Sequence, residues 1–162
     1  MAYQKLQVSR TLTVIPSDNT LIPFPGAKYL ESTTTGNAAN KLIDATVGID
    51  FIALGVEPGD IIYNYDSSEA ATVTAVDSAT ELSITLAGGI TNGDDYILFK
   101  KDQNNGCVFY IGTATAGQAV EVVTSGGDTQ LIPNVVQGSY QPVSIKQVRS
   151  SNTTASDIIA LW

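Results

Sequence analysis

The stretch SSNTTASDIIALW, Ser150–Trp162, decides how the fold is interpreted, because a polar turn signal is followed by an almost entirely apolar segment. DIIALW predicts a β-strand, since successive side chains of a strand alternate between the two faces of a sheet. Ile159 and Leu161 would point to one face, and Ile158 and Trp162 to the other. Such a strand either lies centrally in its own sheet or is covered by a neighbouring subunit. These four residues are therefore candidate interface residues.

The composition favours β-structure and disfavours most enzyme classes. Only 15% of the residues are charged, and the chain contains no histidine. This excludes Ser-His-Asp and Cys-His catalysis and histidine-ligated zinc. The net charge of −8 disfavours nucleic acid as a partner, because phosphate backbones repel an acidic surface. The lone Cys107, within the apolar run CVFYI, predicts a small core residue and no internal disulfide.

No targeting or membrane-spanning segment is expected. The beginning of the chain, MAYQKLQVSR, has no apolar stretch long enough for a signal peptide. No segment approaches the roughly 20 apolar residues of a membrane helix. We therefore expect a soluble chain that is made in a cytoplasm.

The acidic residues are concentrated in the middle of the chain. Residues 42–99 contain ten acids and no lysine or arginine. The acids are Asp44, Asp50, Glu57, Asp60, Asp66, Glu69, Asp77, Glu81, Asp94 and Asp95. So abrupt a change in charge predicts a separate module.

Turn signals and apolar alternation predict the organisation of the whole chain. ELSITLAGG alternates cleanly, and about five such short strands between residues 42 and 101 predict a small antiparallel barrel. The stretch Pro23–Lys41 carries Pro, Gly, Ser, Thr and Asn with little apolar periodicity, so residues 29–41 within it are predicted to be a linker. SGGD between 119–124 and 129–132 predicts a hairpin. The predicted fold is an all-β antiparallel β-sandwich, residues 1–28 and 103–162, with the barrel-like module 42–101 inserted at a loop.

Searches for catalytic and ligand-binding motifs find none. The sequence lacks a P-loop, G-x-G-x-x-G, G-x-S-x-G, H-E-x-x-H, C-x-x-C and an EF-hand loop, so we expect no catalytic residue, cofactor, metal or enzyme activity. Asp94 and Asp95 are predicted to be solvated turn residues. Lys146 and Arg149, on one predicted strand, either contact a negative patch on a partner or are solvated charges. Strand aromatics predict core packing, with a sugar-stacking platform as the alternative.

Several segments resemble small virion proteins of tailed bacteriophages, especially marine, cyanophage-type myoviruses. The resemblance lies in NNGCVFYIGT, VEVVTSGGDTQLI and VVQGSYQPVSIKQVRSSNTTASDIIALW, and in the beginning MAYQKLQVSR with Pro16-Ser17-Asp18. The C-terminal block is similar to head-spike base proteins, which share a Tyr-Val-Gly strand end, a Gly-Gly-Asp hairpin and a final aliphatic strand. ALGVEPGDIIYN resembles a small β-barrel module of phage virion proteins.

The resemblance implies a non-enzymatic structural component of a virion, made in the host cytoplasm. It implies a homo-oligomer on the capsid surface, as a decoration or vertex-spike base protein that contacts other virion proteins such as the major capsid protein. The six candidate interface residues would then be Ile158, Ile159, Leu161, Trp162, Lys146 and Arg149. The alternatives are a neck, tail or fibre protein, and a carbohydrate-binding module whose acidic domain contacts a host surface.

Overall fold

The computed structural model describes residues 8–162 and is all-β, with 43% of the chain in strands and 2% helical. It contains two antiparallel sheets of six strands each, consistent with a β-sandwich, so the predicted fold class is confirmed. Residues 1–7 of the phage-like beginning lie outside the described residues.

The chain forms twelve strands and one 3₁₀ turn within the described residues. The 3₁₀ turn is Pro25–Ala27. The strands are β1 (Thr11–Thr13), β2 (Lys28–Thr33), β3 (Lys41–Ile43), β4 (Ile61–Asn64), β5 (Glu69–Val76), β6 (Glu81–Ile84), β7 (Asp95–Phe99), β8 (Cys107–Thr113), β9 (Val120–Thr124), β10 (Thr129–Ile132), β11 (Tyr140–Arg149) and β12 (Ser156–Leu161).

Two compact units divide these strands. One unit, here called the discontinuous unit, comprises residues 8–14 and Asn105–Trp162 of the described chain. The other, the inserted unit, is Ile15–Asn104. Each unit contains one of the two sheets.

The discontinuous unit is a curled sheet with strand order β1-β12-β8-β11-β9-β10. The ten-residue strand β11 bends, because its register shifts twice and it pairs with β8 through its first half and with β9 through its second. The concave space is filled by alternate side chains of the central strands. They include Phe109, Ile111, Val120, Val122, Ile145, Ile158 and Ala160, all fully buried.

The inserted unit is a rolled sheet with strand order β2-β7-β4-β5-β6-β3. Strand β5 pairs with β4 at one end and with β6 at the other, which rolls the sheet around a core that includes Phe51, Tyr96 and Leu98. Edge strand β3 is joined to the segment that follows β2 by the bridge between Gly36 and Ile43 and by a hydrogen bond from the Thr35 amide to the Ile43 carbonyl. The described residues therefore form a barrel-like sheet without a closed barrel.

The predicted linker 29–41 is wrong over its first part, where the chain forms β2 and pairs with β7 from Lys28 to Thr33. This strand was not predicted from the sequence, for a physical reason. A register shift between Lys28 and Leu30 puts a bulge in it, so Tyr29 and Leu30 interrupt the alternation that marks a strand.

The predicted domain boundaries also differ from those of the structure. Residues 15–28, predicted to belong to the sandwich, are part of the inserted unit. Ile22 is buried there and its carbonyl accepts a hydrogen bond from the Asn104 amide, while the Thr20 and Thr72 hydroxyls lie 3.2 Å apart. The inserted unit therefore begins at Ile15 and ends at Asn104.

Close approach of two strands requires glycine at one position of the discontinuous unit. β8 and β12 pair at Ile111↔Ile158 and Thr113↔Ser156, and Asp157 between them has φ 52°. A β-carbon on Gly112 would lie 2.4 Å from the Asp157 carbonyl oxygen. Since that oxygen belongs to the backbone, β12 would have to move to make room.

We predict that Gly112→Ala lowers the free energy of unfolding of the discontinuous unit by about 1–3 kcal/mol, as overpacking does. Urea unfolding followed by fluorescence of Trp162, the only tryptophan, measures this unit. Gly126→Ala is the matched control, because its nearest atoms lie at an ordinary 3.6 Å. Equal midpoints for the two variants would contradict the prediction.

Candidate functional site

The site predicted from the sequence lies on β12, which the fold holds between two neighbours. β12 pairs with β1 at Thr11↔Leu161 and Thr13↔Ile159, and with β8 along its other edge. The pairing extends to Trp162, whose amide donates to the Arg10 carbonyl at 3.0 Å. The strand thus lies inside its own sheet, which is the first of the two alternatives raised by its sequence.

The two faces of β12 differ in burial. Ile158 and Ala160 point into the core and are fully buried. Ile159 and Leu161 point the other way and are half-buried, as are their direct cross-strand partners Tyr110 and Val108 on β8. Directly opposite residues of an antiparallel pair share a face of the sheet.

This outer face is uncharged around Ile159 and Leu161, whereas Asp157, exposed near the start of β12, adds a carboxylate two residues before Ile159. The uncharged residues of this face, here called the tail face, are Thr11, Thr13, Val108, Tyr110, Ile159 and Leu161. In a chain of net charge −8, an uncharged apolar face is the kind of surface that two copies bury without like-charge repulsion. The sequence predicted Ile159 and Leu161 here, whereas the other four residues emerge only from the strand register.

An apolar cavity of about 170 Å³ lies beside the tail face, and we call it the Trp162 cavity. Its lining includes Val8, Cys107, Val108, Ser144, Leu161 and Trp162. Cys107 is buried, with its thiol 3.5 Å from the Ile145 carbonyl oxygen, in keeping with the small core residue that was predicted. Trp162 is half-buried and lines this cavity.

The two predicted basic residues have different environments. The Arg149 guanidinium lies 3.5 Å from a carboxylate oxygen of Glu121, whose other oxygen accepts a hydrogen bond from the Asn152 amide. Arg149 therefore has an ion pair inside its own unit. Lys146 is half-buried and has no ion-pair partner among residues 8–162.

The inserted unit contains two buried carboxylates that the sequence did not single out. Asp60 accepts hydrogen bonds from the Tyr29 hydroxyl at 2.8 Å, the Lys100 amine at 3.0 Å and the backbone amides of Glu57 and Lys101. Burial opposes ionisation, yet these donors outweigh it and hold the pKa of Asp60 below its usual value.

Asp44 is held in the same manner at the other end of the β3–β4 loop. It accepts from the Ser32 hydroxyl at 2.6 Å, the Tyr96 hydroxyl at 2.7 Å and the Thr46 amide at 2.9 Å. Burial again raises the pKa of Asp44 by less than the hydrogen bonds lower it. A carboxylate kept ionised by several fixed donors is suited to anchoring a loop and poorly suited to general acid catalysis.

Asp94 and Asp95, which were predicted to be solvated turn residues, take part in several hydrogen bonds. Asp94 accepts from the Asn64 amide at 2.8 Å and from the Ser67 hydroxyl, and the Asp95 amide donates to Asp66 at 2.7 Å. Asp94 is half-buried and Asp95 is exposed. Within residues 8–162, no group of three or more acidic or cysteine side chains is placed to hold a metal ion.

The aromatic residues of the strands mostly pack inward. Tyr63, Tyr96, Phe99 and Phe109 are fully or almost fully buried, and such rings cannot stack on a sugar. Tyr65 is partly exposed and packs edge-on against Tyr63, with ring centroids 5.8 Å apart. These positions favour the core-packing prediction over the stacking platform.

Comparisons with known proteins give no relatives: no family model, no curated protein and no solved structure matches the chain. Across residues 8–162, no helix has the length and apolarity needed to cross a membrane.

We predict that Asp60→Asn lowers the free energy of unfolding of the inserted unit by about 2 kcal/mol, because it removes the acceptor charge from a buried network. Hydrogen exchange of peptides from residues 15–104, read by mass spectrometry, measures the loss. Asp102→Asn, at an exposed position of the same unit, is the control. An exchange pattern that is the same in both variants would refute the network's role.

The buried carboxylates of Asp44 and Asp60 also predict that the inserted unit loses stability in acid. Their folded-state pKa values lie below the ordinary value of 3.8, so their contribution is complete above that pH and is lost as the pH falls below it. We expect the stability of the inserted unit to fall below about pH 4, and to fall less steeply in Asp44→Asn/Asp60→Asn. A double variant with an unchanged loss of stability in acid would count against this assignment.

Proposed function

We propose that this chain is a non-enzymatic structural component of a bacteriophage particle and that it works as a homo-oligomer. The observation that carries the proposal is the tail face, six uncharged and largely apolar residues around β12, which is paired along both edges, next to the Trp162 cavity. Surfaces of this kind are suited to permanent contacts between subunits.

The setting on a virion is supported by the resemblance of the C-terminal block, which includes β8, the β9–β10 hairpin and β12. We place the protein on the capsid surface as a decoration or vertex-spike base protein. In this arrangement the discontinuous unit contacts the particle. Its partners are further copies of itself and other virion proteins such as the major capsid protein.

The charge distribution supports assigning the contacts with the particle to the discontinuous unit. Residues 1–14 and 105–162 contain four bases and three acids, whereas residues 15–104 contain four bases and thirteen acids. A nearly neutral unit packs against neighbours at little electrostatic cost, while a strongly acidic unit repels the same unit of another copy.

The proposal predicts that the purified chain is oligomeric and that Ile159→Glu on the tail face weakens association at least 100-fold, because it buries a charge in the contact. Analytical ultracentrifugation across a concentration series measures the change. Val136→Glu is the control, since Val136 is an exposed aliphatic residue of the same unit outside the tail face.

The second measurement is a density map of purified particles from the phage that encodes the chain. Density for this chain on the capsid surface, in symmetric groups, is the expected result. A chain that stays monomeric in solution and is missing from the particle would overturn the proposal, as would turnover of a substrate by the purified protein. A location on the neck, tail or fibre would support the structural role but show that the proposed position on the capsid surface is wrong.

A further inference from the structure

The β3–β4 loop of the inserted unit, residues 44–60, exposes aliphatic side chains that its core does not use. Ile52 is 64% exposed, Val47 is fully exposed and Leu54 is 39% exposed. Phe51 and Val56, in the same loop, are buried. The loop therefore separates residues that anchor it from residues that face solvent.

Hydrogen bonds fix the turn that presents Ile52. The Asp50 carboxylate accepts from the amides of Ile52 and Ala53, each at 3.0 Å, and the Asp50 carbonyl accepts from the Leu54 amide at 2.9 Å. The Gly55 amide, at φ +68°, donates to the Ile52 carbonyl at 3.0 Å. A side chain on so constrained a turn loses little conformational entropy when it docks.

Both ends of the loop are also fixed. Asp44 and Asp60 are the buried carboxylates described above, and each receives a hydrogen bond from a tyrosine hydroxyl. The Lys100 amine further donates to the Gly55 carbonyl, at the end of the turn. The projection of Ile52 into solvent is therefore a property of the fold.

The Trp162 cavity matches this side chain in size and chemistry. An apolar cavity of about 150 Å³ is large enough for a benzene molecule, so about 170 Å³ accommodates one branched aliphatic side chain. Its lining is almost entirely apolar. It is concave, so two such cavities cannot fill one another.

Charges favour a contact between these two features. The Asp50 carboxylate is half-buried and caps the turn, and the exposed Glu57 is paired with Lys101, but the unit that carries the loop has thirteen acids and four bases. On the cavity side, Arg10 is bonded to Trp162 through the backbone, and Lys146 is two residues from Ser144. Contact between two loops would instead bring two strongly acidic inserted units together.

We propose that Ile52 of one copy inserts into the Trp162 cavity of a second copy, in a head-to-tail contact. This inference rests on the proposed homo-oligomer and names the residues that hold it together. Because the two contacting surfaces differ, the contact is heterologous and generates a closed ring or a filament.

Cross-linking between two differently labelled copies tests the contact. One copy carries Cys107→Ser and Ile52→Cys, and the other carries Cys107→Ser and Ser144→Cys, so each has a single thiol. After mixing and oxidation we expect a disulfide between residues 52 and 144, identified by peptide mass. Val136→Cys replaces Ile52→Cys in the control, because Val136 is 65% exposed and thus equally accessible.

Truncation provides the second test. Ile52→Ser is expected to raise the dissociation constant of the oligomer about tenfold or more, whereas Val136→Ser leaves it unchanged. Ile52 lies outside the core, so the variant retains its fold. Trp162 emission of the wild-type chain should shift to shorter wavelength on assembly, and this shift should be weaker in Ile52→Ser at the same concentration.

The outcomes separate this inference from the proposed function. An oligomer that resists Ile52→Ser and gives no 52–144 disulfide overturns the inference and leaves the homo-oligomer standing. A disulfide between two copies labelled at residue 52 also overturns it, since the loops would then pair with each other. A wild-type chain that stays monomeric both in solution and on the particle overturns the proposed function and the inference together.

Discussion

The pairing of β12 with β1 on one side and β8 on the other is the constraint on which the architecture depends. It joins the beginning of the described chain to its far end, since Thr11–Thr13 aligns with Ile159–Leu161. The chain must therefore leave the discontinuous unit after Val14 and return at Asn105, and everything between becomes an independent unit. The same pairing gives β12 its two unequal faces, one that completes the core and one that forms the tail face.

Local patterns predicted the strands but not their partners. ELSITLAGG alternates, and Leu82 and Ile84 are buried as that alternation requires. By contrast β2 was missed because its bulge breaks the alternation, and the unit boundary was misplaced because pairing between distant segments leaves no local signal. Asp44 and Asp60 were counted as acids, but their burial depends on Tyr96 and Tyr29, which are far away in sequence.

The tail face and the loop that carries Ile52 have one property in common. In both, exposed apolar side chains are held by a rigid backbone. The tail face is supported by strands paired on both sides, and the loop that carries Ile52 is held at each end by a buried carboxylate. Rigid apolar surfaces associate without a large ordering cost, which suits an assembly part better than a catalyst. In the proposed homo-oligomer, repulsion between the acidic inserted units restricts how copies approach one another.

The separation of β1 from β12 along the chain has a consequence for synthesis. During translation the inserted unit is complete before β8 emerges from the ribosome, whereas β1 must wait for the last strand. At about 5–20 residues per second, that wait is on the order of ten seconds. An unpaired strand is prone to aggregation during such an interval. The inserted unit, which is synthesised in between, carries thirteen acids and four bases, and like charge of this size opposes association of neighbouring nascent chains.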